Sequence, residues 1–229
     1  LEAHGALLVT GILTNPVGET YYNNLLSLGA GEALYNKRHL VPFGEYFPLG
    51  YLWKDSFRGL ATIGDDFTAG DADKPLLQVG AYQAGASICY EIIFGEEIRE
   101  ALPEAHFLIN MSNDAWFGKT VGPLQHFEMA RMRALENGRY LLRATNTGVT
   151  AIIDPLGRVQ ERLPQFERGE LSGSFRPYQG STPYAEYGHL ALWLLWAGIV
   201  AWIIIPGRGK RRLPPGFEQH QEAGGNPPK

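Results

Sequence analysis

Cysteine is almost missing from this chain: Cys89 is the only one in 229 residues. One thiol cannot close an internal disulfide, and it excludes a metal cluster built on thiolates. A basic excess is missing too. With 20 Lys and Arg against 24 Asp and Glu, the net charge of −4 excludes a general nucleic-acid binder. Leu1 is neither an initiator methionine nor part of a basic-then-apolar leader, so no secretory signal is read and a piece of a longer protein is expected. No internal repeat is found.

What the chain has is apolar residues, 45% of the total with 12% aromatic, ample for a buried core. One stretch stands apart. Leu190 to Ile205 carries no charged or strongly polar side chain, and Gly188 to Gly207 extends the weakly polar span. Twenty residues at 1.5 Å each reach about 30 Å, the thickness of a bilayer's hydrocarbon core. Tyr184, Tyr187 and Trp202 stand where interfacial anchors are found, and Arg208, Lys210, Arg211 and Arg212 follow. The expected organisation is a globular domain over 1–183, a transmembrane helix over 188–207, and a basic then disordered tail over 208–229. By the positive-inside tendency the tail is cytoplasmic and the domain extracytoplasmic.

Within the domain, strands are expected at Leu7–Leu13, Tyr21–Leu28 and Tyr35–Val41, closed by Asn15-Pro16, Gly29-Ala30-Gly31 and Pro42. Gly50 to Phe67 is aromatic without clear periodicity, and reads either as chain folded back into the core or as a segment that touches lipid. Leu76–Val79 and Tyr82–Ile88 form a hairpin around Gly80-Ala81. A helix is expected over Glu91–Leu102, a strand at Phe107–Met111, and a long helix from Gly122-Pro123 to Asn137-Gly138. Further strands are expected at Leu141–Thr145, Val149–Ile153 and Leu171–Phe175, with a turn at Asp154–Gly157 leading to Arg158–Glu161. β-α-β units mixed with hairpins point to an α/β layered domain with a mixed sheet.

Four groups at the predicted strand ends have reactive chemistry: Lys37, Glu45, Cys89 and Glu91. A lone cysteine is by itself most often a small buried hydrophobe. Here it follows the apolar run Gly85-Ala86-Ser87-Ile88 and precedes a helical pattern, the geometry of a nucleophile raised on a sharp turn. A lysine beside it favours thiolate and stabilises an oxyanion, and a glutamate moves the proton. Spacing cannot join these groups, because their contacts are made in space.

The segments Tyr35-Asn36-Lys37-Arg38-His39-Leu40-Val41-Pro42-Phe43-Gly44-Glu45, Ile88-Cys89-Tyr90-Glu91 and Ser112-Asn113-Asp114-Ala115-Trp116-Phe117-Gly118 resemble the nitrilase superfamily. Within it they look like the apolipoprotein N-acyltransferase family, as do Gln125 to Ala134, Arg143 to Gly148 and the terminal apolar span. The resemblance implies a nitrilase-like α-β-β-α layered domain followed by one membrane helix. It implies that Cys89 takes an acyl group from a phospholipid as a thioester and passes it to the N-terminal amine of a diacylglyceryl-cysteine lipoprotein. Lys37 would stabilise the oxyanion, Glu45 and Glu91 would support catalysis, and Tyr90, Asn113 and Trp116 would contact substrate. No metal or organic cofactor is implied, and the place of action is the periplasmic side of the bacterial inner membrane. The family's general-base glutamate is expected upstream of Leu1, on a strand preceded by membrane helices; Glu2 stands in no matching motif. Two rival readings are a membrane-tethered nitrilase or amidase acting on a small C–N substrate, and a non-catalytic anchored binding domain.

Overall fold

The computed structural model describes residues 5–16, 18, 20–29, 31–48, 67–71 and 73–204. Two compact units divide the chain, Leu1–Gly188 and His189–Lys229. The described residues of the first form two sheets. β1 (Leu8–Thr14), β2 (Tyr22–Leu28) and β3 (Ala33–Asn36) form an antiparallel three-stranded sheet, in which Leu25 faces Tyr35 and Asn24 faces Asn36. The second sheet runs in the order β4 (Leu76–Val79), β5 (Tyr82–Ile88), β6 (Phe107–Ser112), β7 (Leu141–Thr145), β8 (Thr150–Ile153), β9 (Val159–Leu163). β5, β6 and β7 are parallel and the outer pairs antiparallel, the mixed sheet expected from the sequence.

Side chains alternate between the two faces of a strand, and the central strands are apolar on both. On one face Ala84, Ala86, Ile88, Phe107 and Ile109 pack with Leu25 and Tyr35 of the smaller sheet. On the other, Leu108, Leu141, Ala151 and Ile153 pack with Phe127, Ala130 and Ala134. Those last three lie on α2 (Gly122–Asn137), which has Pro123 in its first turn and ends at Gly138 with φ +60°. Both end signals are those the sequence carries. The layers described are therefore helix, six-stranded sheet and three-stranded sheet.

Three expectations need correction. The strand expected over Tyr35–Val41 stops at Asn36, because the backbone N–H groups of Arg38 and His39 turn aside to donate to the Glu91 carboxylate. The helix expected over Glu91–Leu102 is divided into a 3₁₀ turn, Cys89–Ile93, and α1 (Gly95–Arg99). Phe94 separates them with non-helical φ/ψ of −91° and 88°. Among the described residues Leu171–Phe175 joins no sheet: the Phe175 ring lies 4.7 Å from that of Phe107 and 6.4 Å from that of Tyr140, over the face of the sheet rather than at its edge. The aromatic residues Tyr51, Trp53 and Phe57 lie outside the described residues.

A short helix, α3 (Pro183–Tyr187), closes the first unit. In the second unit α4 (Leu190–Ile204) has 15 residues and none of its side chains is buried. Among the described residues no helix is long and apolar enough to cross a membrane. The end of the expected span and the basic tail, residues 205–229, lie outside the described residues.

Candidate active site

Cys89 stands where β5 breaks into the 3₁₀ turn, and its φ is +50°. A side-chain-bearing residue there is strained by on the order of 1–2 kcal/mol, and such strain persists only where neighbours over-determine it. Here the bonds on either side do so. Ile88 N–H donates to Glu91 Oε2 at 2.7 Å, and the Cys89 carbonyl lies 3.1 Å from His126 Nε2. The thiol-bearing side chain is half-buried and faces a cavity.

Glu91 is 2% exposed and every bond it makes reaches backbone or a phenol. Its Oε1 accepts from Tyr35 Oη at 2.9 Å, Arg38 N at 2.7 Å and His39 N at 3.1 Å. Burial pushes this carboxyl above the ordinary range, against the pull of the Ile88, His39 and Arg38 N–H groups and the Tyr35 hydroxyl. One carboxylate thus ties the nucleophile's turn to the loop that carries Lys37. Glu91→Gln replaces one acceptor oxygen by an NH₂, which must meet an N–H. The variant is expected to lose about 1–3 kcal/mol of stability, read from its denaturant midpoint. An unchanged midpoint would refute this anchoring role.

Lys37 is 1% exposed, and its ammonium donates to both Glu45 oxygens, at 2.8 and 2.7 Å. Val41 N–H and the Asn23 amide complete the shell of Glu45. Such a bidentate, partly buried pair fixes the lysine as a point charge.

A second buried cluster lies behind the cysteine. Asp114 and the Arg143 side chain are fully buried, with Arg143 Nη2 donating to Asp114 Oδ2 at 2.9 Å. Arg143 Nη1 also bonds Asn110 Oδ1, and Ser112 Oγ donates to Asp114 Oδ1 at 2.6 Å. His126 Nδ1 sits 2.9 Å from Asp114 Oδ1 and 3.1 Å from Arg143 Nη2. Burial alone would raise the Asp114 pKa; the His126 bond, the Arg143 charge and the Ser112 hydroxyl outweigh it and hold the carboxyl below the usual range. Sequence reasoning names these residues only as parts of matching segments or, for Asn110, of a strand, and gives them no role. The available signal was an arginine inside the apolar strand Leu141–Thr145, since a charge in a central strand needs a buried partner.

A cavity of about 1010 Å³ joins these parts. Cys89, Tyr90, Glu45, Asn113 and Trp116 all line it, so five of the seven residues expected from the sequence meet there; Lys37 and Glu91 stand outside the lining. Leu13, Val41, Phe67, Met111 and Met129 make much of the wall apolar, and Trp116 and Phe117, which also line it, are 67% and 39% exposed. Among the described residues no group of three His, Cys, Asp or Glu side chains is placed to hold a metal ion.

Residues 1–177 match the carbon–nitrogen hydrolase family. The chain is 50% identical over 198 residues to an apolipoprotein N-acyltransferase of Methylococcus capsulatus, covering 86% of this chain and 39% of that protein. It is 44% identical over 219 residues to one of Azotobacter vinelandii, covering 92% and 42%. The chain thus spans about two fifths of the length of the curated relatives it matches. Among solved structures it resembles an amidase from Nesterenkonia sp., with a TM-score of 0.54 and 20% identity over 85% of this chain and 68% of that one. A carbon–nitrogen hydrolase from Helicobacter pylori G27 gives a TM-score of 0.53 and 18% identity over 71% and 59%. At these identities the structures speak for the fold alone.

Proposed function

Because the chain belongs to the carbon–nitrogen hydrolase family, we propose that Cys89 is an acyl-accepting nucleophile and that the protein transfers an acyl chain from a phospholipid to the N-terminal amine of a diacylglyceryl-cysteine lipoprotein. The observation that carries this reading is the strained Cys89 lining an apolar cavity, with Glu45, the partner of Lys37, in the same lining. The relatives' name, apolipoprotein N-acyltransferase, supports the choice of donor and acceptor.

In the first step Cys89 Sγ attacks the ester carbonyl, an S–C bond forms, the C–O bond breaks, and the lysophospholipid alkoxide takes a proton. In the second the lipoprotein amine attacks the thioester, an N–C bond forms, the S–C bond breaks, and the amine proton returns to sulfur. Thioesters react readily with amines, which favours transfer over hydrolysis. Lys37 supplies positive charge to the tetrahedral oxyanion, and the N–H of Tyr90, the residue after the nucleophile, is the natural second donor. Glu45 is committed to Lys37 and Glu91 to the Lys37 loop. The base that takes the thiol proton is, as the family resemblance implies, a glutamate ahead of Leu1. Tyr90, Asn113 and Trp116 line the substrate's path. No cofactor enters either step.

We place the reaction at the periplasmic face of the bacterial inner membrane, with residues 1–183 as the catalytic domain, 188–207 as a membrane helix and 208–229 as a cytoplasmic tail. The full-length protein, given a radiolabelled phospholipid and a diacylglyceryl lipopeptide, is expected to move label to the peptide amine. Release of free fatty acid alone, or of ammonia from small amides, would replace this reading with a hydrolase.

A further inference from the structure

We propose that His126 is a positioning residue for acyl-enzyme formation, holding the Cys89–Tyr90 peptide so that its N–H faces the reacting carbonyl. This rests on the reading of Cys89 as an acylated nucleophile.

The Cys89 carbonyl can only accept, so His126 Nε2, 3.1 Å away, is the donor and carries a proton. A trans peptide is planar, with its C=O and N–H on opposite sides. A donor that fixes the Cys89 oxygen therefore fixes the direction of the Tyr90 N–H. The first N–H groups of a helical turn have no acceptor within it, and Tyr90 is the second residue of the turn and lines the cavity. The strain at Cys89 makes such a restraint necessary, since the peptide would otherwise relax away from φ +50°.

His126 is itself held against rotation. It is 5% exposed, and its Nδ1 meets an acceptor, Asp114 Oδ1 at 2.9 Å, and a donor, Arg143 Nη2 at 3.1 Å. Behind them Asn110 and Ser112 bond the Asp114–Arg143 pair, and Asn146 Oδ1 accepts from the Asp114 backbone N–H, so the imidazole is supported by a buried network. The chemistry already assigned to Lys37, Glu45 and Cys89 leaves this histidine without a task, yet it contacts the nucleophile's own carbonyl.

Two substitutions separate its two sides. H126Q places an amide N–H near the Nε2 position and keeps the donor to the Cys89 carbonyl. H126N keeps a group beside Asp114 but is too short to reach that carbonyl. The full-length protein and both variants would be compared in two reactions at Cys89. Acylation by a p-nitrophenyl acyl ester passes through an oxyanion, whereas alkylation by iodoacetamide does not. H126N is expected to slow acylation about a hundredfold, the lower range for loss of one oxyanion donor. Its alkylation rate is expected to stay within about threefold, and H126Q to acylate within about fivefold of wild type. Iodoacetamide alkylates an unfolded chain as well, so the folding of each variant is checked separately by its denaturant midpoint. Equal acylation by H126N and wild type, or parallel loss of both reactions, would overturn the positioning role. Failure of the wild type itself to acylate would instead overturn the nucleophile on which the role rests.

Discussion

Cys89→Ala is expected to abolish the hydroxylamine-labile acyl adduct on the full-length protein and to lower acyl transfer on the order of 10⁴-fold or more. The size follows from the proposed chemistry: without sulfur no thioester divides the reaction into two easier steps. An adduct that survives the substitution would place the acyl group elsewhere and end the mechanism. A stability comparison goes with it. At φ +50° alanine keeps the strain that glycine escapes. Cys89→Gly should therefore be more stable than Cys89→Ala by about 1 kcal/mol, or roughly 2–4 °C in Tm. Equal melting of the two inactive variants would argue that the turn is unstrained.

The largest stability effect is expected from Arg143→Leu. It leaves the fully buried Asp114 carboxylate without its guanidinium, and breaking a buried pair from one side costs about 3–5 kcal/mol. Urea denaturation reads this directly, and a loss below 1 kcal/mol would mean that Asp114 is otherwise neutralised. Adding Asp114→Asn should recover part of the loss, because the stranded charge is the main penalty. The pair also sets an acid dependence. The folded pKa of Asp114 lies below the ordinary carboxylate value, near about 4, so its contribution is complete above that value and disappears as pH falls through the folded one. Arg143→Leu should show a smaller acid-dependent component than wild type.

The parts of this site were unequally legible. The Cys89 turn could be read because its causes are local: an apolar strand, then a change to helical spacing. The Lys37 segment was identified but misread as strand to Val41, because nothing between Asn36 and His39 reveals the bend. The agent is Glu91, more than fifty residues later, drawing in two backbone N–H groups. The network of Asp114, His126 and Arg143 was least legible. Its members sit on a 3₁₀ turn, a helix and a strand, and no local pattern links them. Leu171–Phe175 differs for the opposite reason: its Leu-Ser-Gly-Ser-Phe alternation reads as a strand, but the aromatic side chain packs on the sheet's face instead.

Gly148 shows how tightly that network occupies its space. A Cβ on this residue would come within 1.9 Å of Asp114 Oδ2, so the carboxylate fills the volume a side chain would require. The consequence is historical. A drifting sequence cannot change position 148 until Asp114 has shortened, and Asp114 cannot shorten without stranding Arg143 in a central strand. Loss of Arg143 in turn removes the donor that faces His126 Nδ1. A change at any one of these four positions therefore disturbs the others, and the replacements with the smallest cost are concerted ones.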